Sequence, residues 1–147
     1  MGKTVTAVEI LISLIKEFEG CKLKAYQCPA GIWTIGYGYT HGVKKGDVWT
    51  QKQADEKLLS EALSAIDMAI KSSPGLKDET IQRQAAIADF IYNLGIGNYK
   101  ISTLKLRVDQ GLWQSAETEC KRWNKANGKI LAGLTARREK EAKLLLS

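Results

Sequence analysis

The sequence predicts an α+β fold, mostly helical, with one small antiparallel sheet near the N-terminus. Three observations predict it. An amphipathic helix comes first, with Thr6 and Glu9 spaced as a capping box ahead of an apolar stripe. From about residue 22 to 39 the pattern shortens to extended runs broken by glycine. Beyond about residue 50 the rest reads as helix. With 147 residues, 44% of them hydrophobic, the chain can bury one real core and is too short for two ordinary domains.

The first stripe is Val8, Leu11, Ile12, Ile15 and Phe18, with Glu9, Lys16 and Glu17 between them. That is an amphipathic helix and not an export signal, and it should stop near Gly20. Residues 23–26 and 32–37 then form two strands joined by a turn of Cys28, Pro29, Ala30 and Gly31. Gly36, Gly38 and Gly42, around Tyr37 and Tyr39, suit either tight bends or a backbone that a ligand approaches closely. A long helix follows over about 50–70, with Thr50 and Gln53 as a capping box and Leu58, Leu59, Ala62, Ile66 and Ile70 as its apolar face. A helix of that length can bridge two lobes. Pro74 and Gly75 break the pattern, and a helix over about 78–94 resumes it. Three shorter helices complete the chain, over about 103–110, 113–123 and 135–146. No repeat, low-complexity stretch or bilayer-length apolar run occurs.

The net charge of +6 favours an anionic partner: nucleic acid, an acidic membrane surface or an anionic cell-wall polymer. Charge alone does not choose among them. Between Glu119 and Ser147 eight Lys or Arg face three Glu, a solvated helix face or an electrostatic docking surface. Cys21, Cys28 and Cys120 allow one bridge and leave an odd thiol, so free thiols and folding in the cytosol are expected.

Eight residues separate Glu19 from Cys28, and five separate Cys28 from Thr34. Glu19 falls in the last turn of the first helix, where the negative end of the dipole disfavours an ionised carboxylate, as a general acid needs. The alternative is a solvated helix-end glutamate. Glycoside hydrolysis requires a protonated carboxyl group on one side of the scissile bond and, in most families, a second group that activates water or attacks directly. A helix end and a turn of the adjoining sheet can face each other across a groove. By spacing alone the three residues are a weak signal.

The whole chain resembles the phage-type lysozyme (endolysin) family, which includes the lysozyme of the T-even phages and the lambdoid phage endolysins. That family's pattern is Glu, eight residues, Asp or Cys, five residues, Thr, met here by Glu19, Cys28 and Thr34. Around it stand Gly20, the KAY of residues 24–26 and the TIGYG of residues 34–38. IYNLGIGNYKISTL, residues 91–104, and the set Trp123, Gly128, Gly133, Leu134, Arg137, Arg138 and Glu141 extend the likeness to the far end.

The resemblance implies a two-lobed lysozyme-like fold within one catalytic domain, 1–147. A sheet-containing lobe (about 20–50) would be joined by the long helix (about 50–72) to a helical lobe (about 73–147), with helix 6–19 packing near the latter. It implies a muramidase that cuts the β-1,4 bond between N-acetylmuramic acid and N-acetylglucosamine in peptidoglycan, with inversion, for host cell lysis. Glu19 would be the proton donor, with Cys28 and Thr34 holding or activating the water. Gly38, Tyr39, Asn93 and Thr103 are the expected substrate-binding residues. No cofactor and no metal are expected, nor nucleic acid, and the chain should be a monomer. It would be made in the host cytoplasm without a signal peptide and reach the wall, in the periplasm, after a separate holin-like membrane protein acts. A lytic transglycosylase and a non-catalytic basic binder of wall polymer or nucleic acid are the alternatives.

Two residues depart from the commoner family pattern: Cys28 where many members have Asp, and Tyr39 where they have His. A thiol of pKa about 8.5 is only a few per cent thiolate at neutral pH. Cys28 is therefore expected to position water, and not to act as base or covalent nucleophile. His41 either replaces the missing His or is a surface loop residue, the reading preferred here. Trp33, Trp49, Trp113 and Trp123 are expected in the core. Arg137 and Arg138 either touch the anionic wall or pair with Glu139 or Glu141.

Overall fold

A computed structural model describes residues 4–147. Helix α1 (Ala7–Glu19) starts where the Thr6 hydroxyl accepts the Glu9 amide at 3.2 Å and closes where Gly20 donates to the Lys16 carbonyl. Its buried stripe of Leu11, Leu14 and Ile15 fixes which way its last residue, Glu19, points.

Strands β1 (Lys22–Gln27) and β2 (Trp33–Gly36) pair antiparallel, Tyr26 opposite Thr34 and Gln27 opposite Trp33. The turn is tied by Cys28 N–H to the Ile32 carbonyl at 3.0 Å and Gly31 N–H to the Cys28 carbonyl at 2.8 Å. Past β2 the chain doubles back, Ile35 and Tyr39 exchanging two backbone bonds of 2.9 Å. This brings Gly38 under the end of α1.

Helix α2 (Gln51–Ser72) opens with the expected capping box, both reciprocal bonds of Thr50 and Gln53 being present. Its buried face differs in part from the predicted one: Ala54, Leu58, Ala62, Ala65 and Ala69 face inward, whereas Leu59 is exposed. Small side chains on this face let α3 (Ile81–Leu94) approach closely, and α3 is covered by α1, α2 and the last helix, α7 (Ala132–Leu145). Consequently α3 is buried continuously from Ala85 to Ile91, Asp89 included. Phe90 anchors the middle, with Tyr99 and Trp123 edge-on at 6.1 and 5.5 Å. Trp113 and Trp49 also pack against the core, while none of the four tryptophans is fully buried.

Several boundaries are corrected. A 3-10 turn at Pro74–Asp78 delays α3 to Ile81, where Thr80 is the cap. Helix α4 (Ile96–Ile101) occupies a stretch that its glycines hid, and α5 (Thr103–Asp109) and α6 (Trp113–Lys121) follow as expected. The chain beyond residue 50 is not all helix: β3 (Lys125–Ala126) and β4 (Lys129–Ile130) form a hairpin. Its turn places Asn127 at φ 51° and Gly128 at φ 76°, the left-handed pair that a two-residue hairpin loop needs. The Asn-Gly dipeptide was the sequence signal for it. Among the described residues no helix is long and apolar enough to cross a membrane.

Candidate active site

Glu19 is held on two sides. From α7, Arg137 Nη1 donates to Glu19 Oε2 at 2.8 Å, in a site where the glutamate side chain keeps 23% of its exposure. From the sheet segment, Gly38 lies so close that a β-carbon there would stand 2.8 Å from Glu19 Oε1. Gly38 also has φ +81°, a conformation that disfavours any side chain. Expected as a substrate contact, Gly38 lines a cavity and also packs directly against the Glu19 carboxyl. Gly38→Ala is expected to cost about 1–3 kcal/mol of stability. A variant that melts with the wild type would contradict this packing.

The Arg137 guanidinium serves two carboxylates. Besides Glu19, it donates through Nε to Asp89 Oδ2 at 2.9 Å and through Nη2 to Asp89 Oδ1 at 2.8 Å, and it lies over the Phe18 ring. The sequence-based pairing with Glu139 or Glu141 is thus right for Arg138, which donates to Glu141 Oε2 at 2.8 Å, and corrected for Arg137. On α7 position 137 faces α1 and α3, away from its own helix neighbours. Asp89, Arg138 and Glu141 are all fully buried. Burial, and then a hydrogen bond with Asp89, pushes the Glu141 carboxyl well above its usual range. Burial works the same way on Asp89, but hydrogen bonds from Glu141 and Arg137 outweigh it and hold Asp89 below the usual value. Sequence reasoning missed Asp89, although one acid inside the apolar run AAIADFIY is a signal that a buried partner exists.

Across from this group, half-buried Cys28 sits in the β1–β2 turn. The Ile32 backbone amide, helped by that of Ala30 and by the Thr34 hydroxyl, lowers the thiol pKa against an opposing effect of partial burial. Thr34 is buried on β2, its Oγ1 3.0 Å from the Ile32 carbonyl. One hydroxyl proton can go either to that carbonyl or to sulfur. All three cysteines are free thiols.

Tyr26 links the two halves. Its pKa is raised by burial and then by the charges of Glu19 and Cys28, so the phenol lies within electrostatic reach of both. Tyr92, on α3, donates to the Tyr37 carbonyl at 2.5 Å and so pins the turn that carries Gly38. Neither phenol was singled out from sequence.

Two cavities flank Glu19 and Gly38. One, of about 320 Å³, has Gly38, Tyr39 and His41 on one wall and Glu61, Tyr92 and Ile96 on the other. Tyr39 is braced there by Trp49 at 5.5 Å and by Lys57 Nζ 4.9 Å from its ring centroid. His41 is an exposed residue as expected, yet it lines this cavity beside Tyr39. The other cavity, of about 310 Å³, is lined by Glu19, Phe18, Arg137, Leu134 and Asn93, whose Oδ1 is buried with no partner among the described residues. Thr103, exposed at the start of α5, lines neither cavity. Among the described residues no cluster of three or more potential metal ligands occurs.

Residues 16–141 match the family model described as phage lysozyme. The endolysin of Acyrthosiphon pisum secondary endosymbiont phage 1 is 41% identical over 91% of this chain and 93% of its own length. A SAR-endolysin of Bacteriophage PS119 is 34% identical over 87% of this chain and 76% of its own length. Among solved structures, the muramidase domain of SpmX from Asticaccaulis excentricus superposes with a TM-score of 0.81 at 30% identity, covering 100% of this chain and 99% of that one.

Proposed function

Because the chain belongs to the phage lysozyme family, and is accordingly a glycoside hydrolase of the lysozyme type, we propose the bond and the residue roles. The bond is the β-1,4 link between N-acetylmuramic acid and N-acetylglucosamine in peptidoglycan, cut with inversion. A glycan strand lies in the groove between the sheet segment and the helical body, along Gly38, Tyr39 and the cavity with Asn93. Thr103 then acts only if substrate extends beyond the two cavities.

The observation that carries this reading is Glu19 itself. Among the described residues it is the one carboxyl group that is fixed by an arginine, pressed against a glycine backbone and still open to solvent beside Tyr26 and Cys28. Glu19 protonates the departing glycosidic oxygen. Water approaches from the other face, held by the Thr34 oxygen and Cys28. The lowered thiol pKa raises the share of Cys28 present as thiolate, a hydrogen-bond acceptor for that water, and the sulfur orients the water without bonding to carbon. A transglycosylase reading is favoured by one observation, the absence of a carboxylate at position 28, because that reaction needs an acid and no activated water.

Wall fragments analysed by mass spectrometry, with anomers followed by NMR, separate these. Reducing muramic acid ends formed as the inverted α-anomer are expected. Anhydro-muramic ends would mean transglycosylation, and a β-anomer would mean a covalent intermediate.

Phage endolysins act on the cell wall, and release to the wall follows one of two routes. The proposed route is passage through a membrane opened by a holin-like partner, with a monomeric enzyme and no nucleic acid involved. The likeness to a protein named SAR-endolysin supports the other route, signal-anchor release.

A further inference from the structure

The buried carboxyl pair behind Arg137 has no part in the roles assigned so far. Asp89 and Glu141 are wholly enclosed, each gripped by its own arginine, and one of those arginines reaches out to Glu19. We infer that Asp89 is a positioning residue for the catalytic acid: by occupying two of the three donating nitrogens of Arg137, it aims the third at Glu19 and offsets part of the guanidinium charge that Glu19 feels. The inference rests on Glu19 being the acid.

The geometry forces the coupling. Arg137 points Nε and Nη2 at the two oxygens of Asp89 in a planar fork, which leaves Nη1 directed toward α1. An arginine so near a general acid works against catalysis if its full charge acts on that acid, because it favours the ionised carboxylate. Asp89 supplies the counter-charge. Glu141 has its own cation, Arg138, whose Nη2 and Nε stand 2.8 and 2.7 Å from its two oxygens. Two buried arginines thus face two buried carboxylates, and Arg137 meets Glu19 with its charge already countered by Asp89.

The charged and titratable groups facing Glu19 are Arg137 on α7, Tyr26 on β1 and Tyr92 on α3, with Cys28 beyond Tyr26. Those facing Asp89 are Arg137, Arg138 and Glu141 on α7, Tyr92 on its own helix and Cys120 on α6. Asp89→Asn removes one charge from this set and, because an amide nitrogen cannot accept, one of the two fork bonds to Arg137, while it keeps the side-chain volume.

The test is the pH profile of kcat on soluble glycan chains. In Asp89→Asn, Arg137 acts on Glu19 with its whole charge, so the ionised form of Glu19 is favoured. The alkaline limb, where the acid loses its proton, is expected to move down by about one pH unit. An unmoved limb with lowered thermal stability would reduce Asp89 to a structural role and overturn the inference. Glu141→Gln alters a carboxyl held by the other arginine, Arg138, and is expected to leave the limb where it is in the wild type. A limb that moves by about one pH unit in Glu141→Gln would make the shift a general effect of buried charge and overturn the specific role of Asp89, even if Asp89→Asn does not fold. Full activity of Glu19→Gln would instead defeat the acid assignment itself, so the two failures are distinguishable.

Discussion

Glu19→Gln is expected to lower the rate of lysis by about 10²–10⁴-fold, the usual contribution of a positioned general acid. Glutamine keeps the length of the side chain and an oxygen for Arg137, so the helix end, the Gly38 contact and the groove stay as they are. Only the transferable proton is lost. Stability should change by less than about 1 kcal/mol, because the Glu19–Arg137 pair is partly exposed and screened by solvent. Turbidity clearing of chloroform-treated Gram-negative cells, with thermal melting run alongside, measures both. Undiminished clearing would show that lysis does not use acid catalysis, as a non-catalytic basic binder of the wall would require.

Arg137→Ala is expected to be the most destabilising substitution near the site, by about 3–5 kcal/mol. The reason is Asp89. Removing the guanidinium leaves a fully buried carboxylate without its cation, and stability on the scale of about 5–15 kcal/mol for a domain makes such a loss severe. The effect has a pH signature. Without Arg137 the folded-state pKa of Asp89 rises above its unfolded value of about 3.9. The variant's stability is then best below that value and falls as pH rises, because the unfolded chain ionises Asp89 more readily. Urea unfolding at pH 5 and pH 8 should therefore give a smaller difference from the wild type at pH 5. An equal difference at both would place the cost elsewhere than on Asp89. Activity should fall as well, since Glu19 loses its tether.

Much of the fold was legible because the signals are local. The stripe of α1, the Thr50–Gln53 capping box and the Pro74–Gly75 break each act within a turn or two, and each appears where expected. The β3–β4 hairpin was equally local in its Asn-Gly signal and was overlooked under the helical pattern around it. The inward face of α2 was not legible in full. Alanine and leucine at neighbouring positions both suit a helix, and only the close approach of α3 makes the alanines the buried ones.

For the site, the same division holds. The sequence by itself determined the Glu19, Cys28 and Thr34 pattern and, through resemblance, the reaction class, since those residues and their spacing recur together within one short segment. Tertiary structure alone decided that Arg137, 118 residues from Glu19 along the chain, grips it, that Asp89 stands behind that arginine, and that Gly38 packs against the Glu19 carboxyl. Periodicity says that a residue faces inward. It carries no information about which distant charge it will meet there, because that depends on how α1, α3 and α7 cross, and the crossing is set by the summed packing of the whole core.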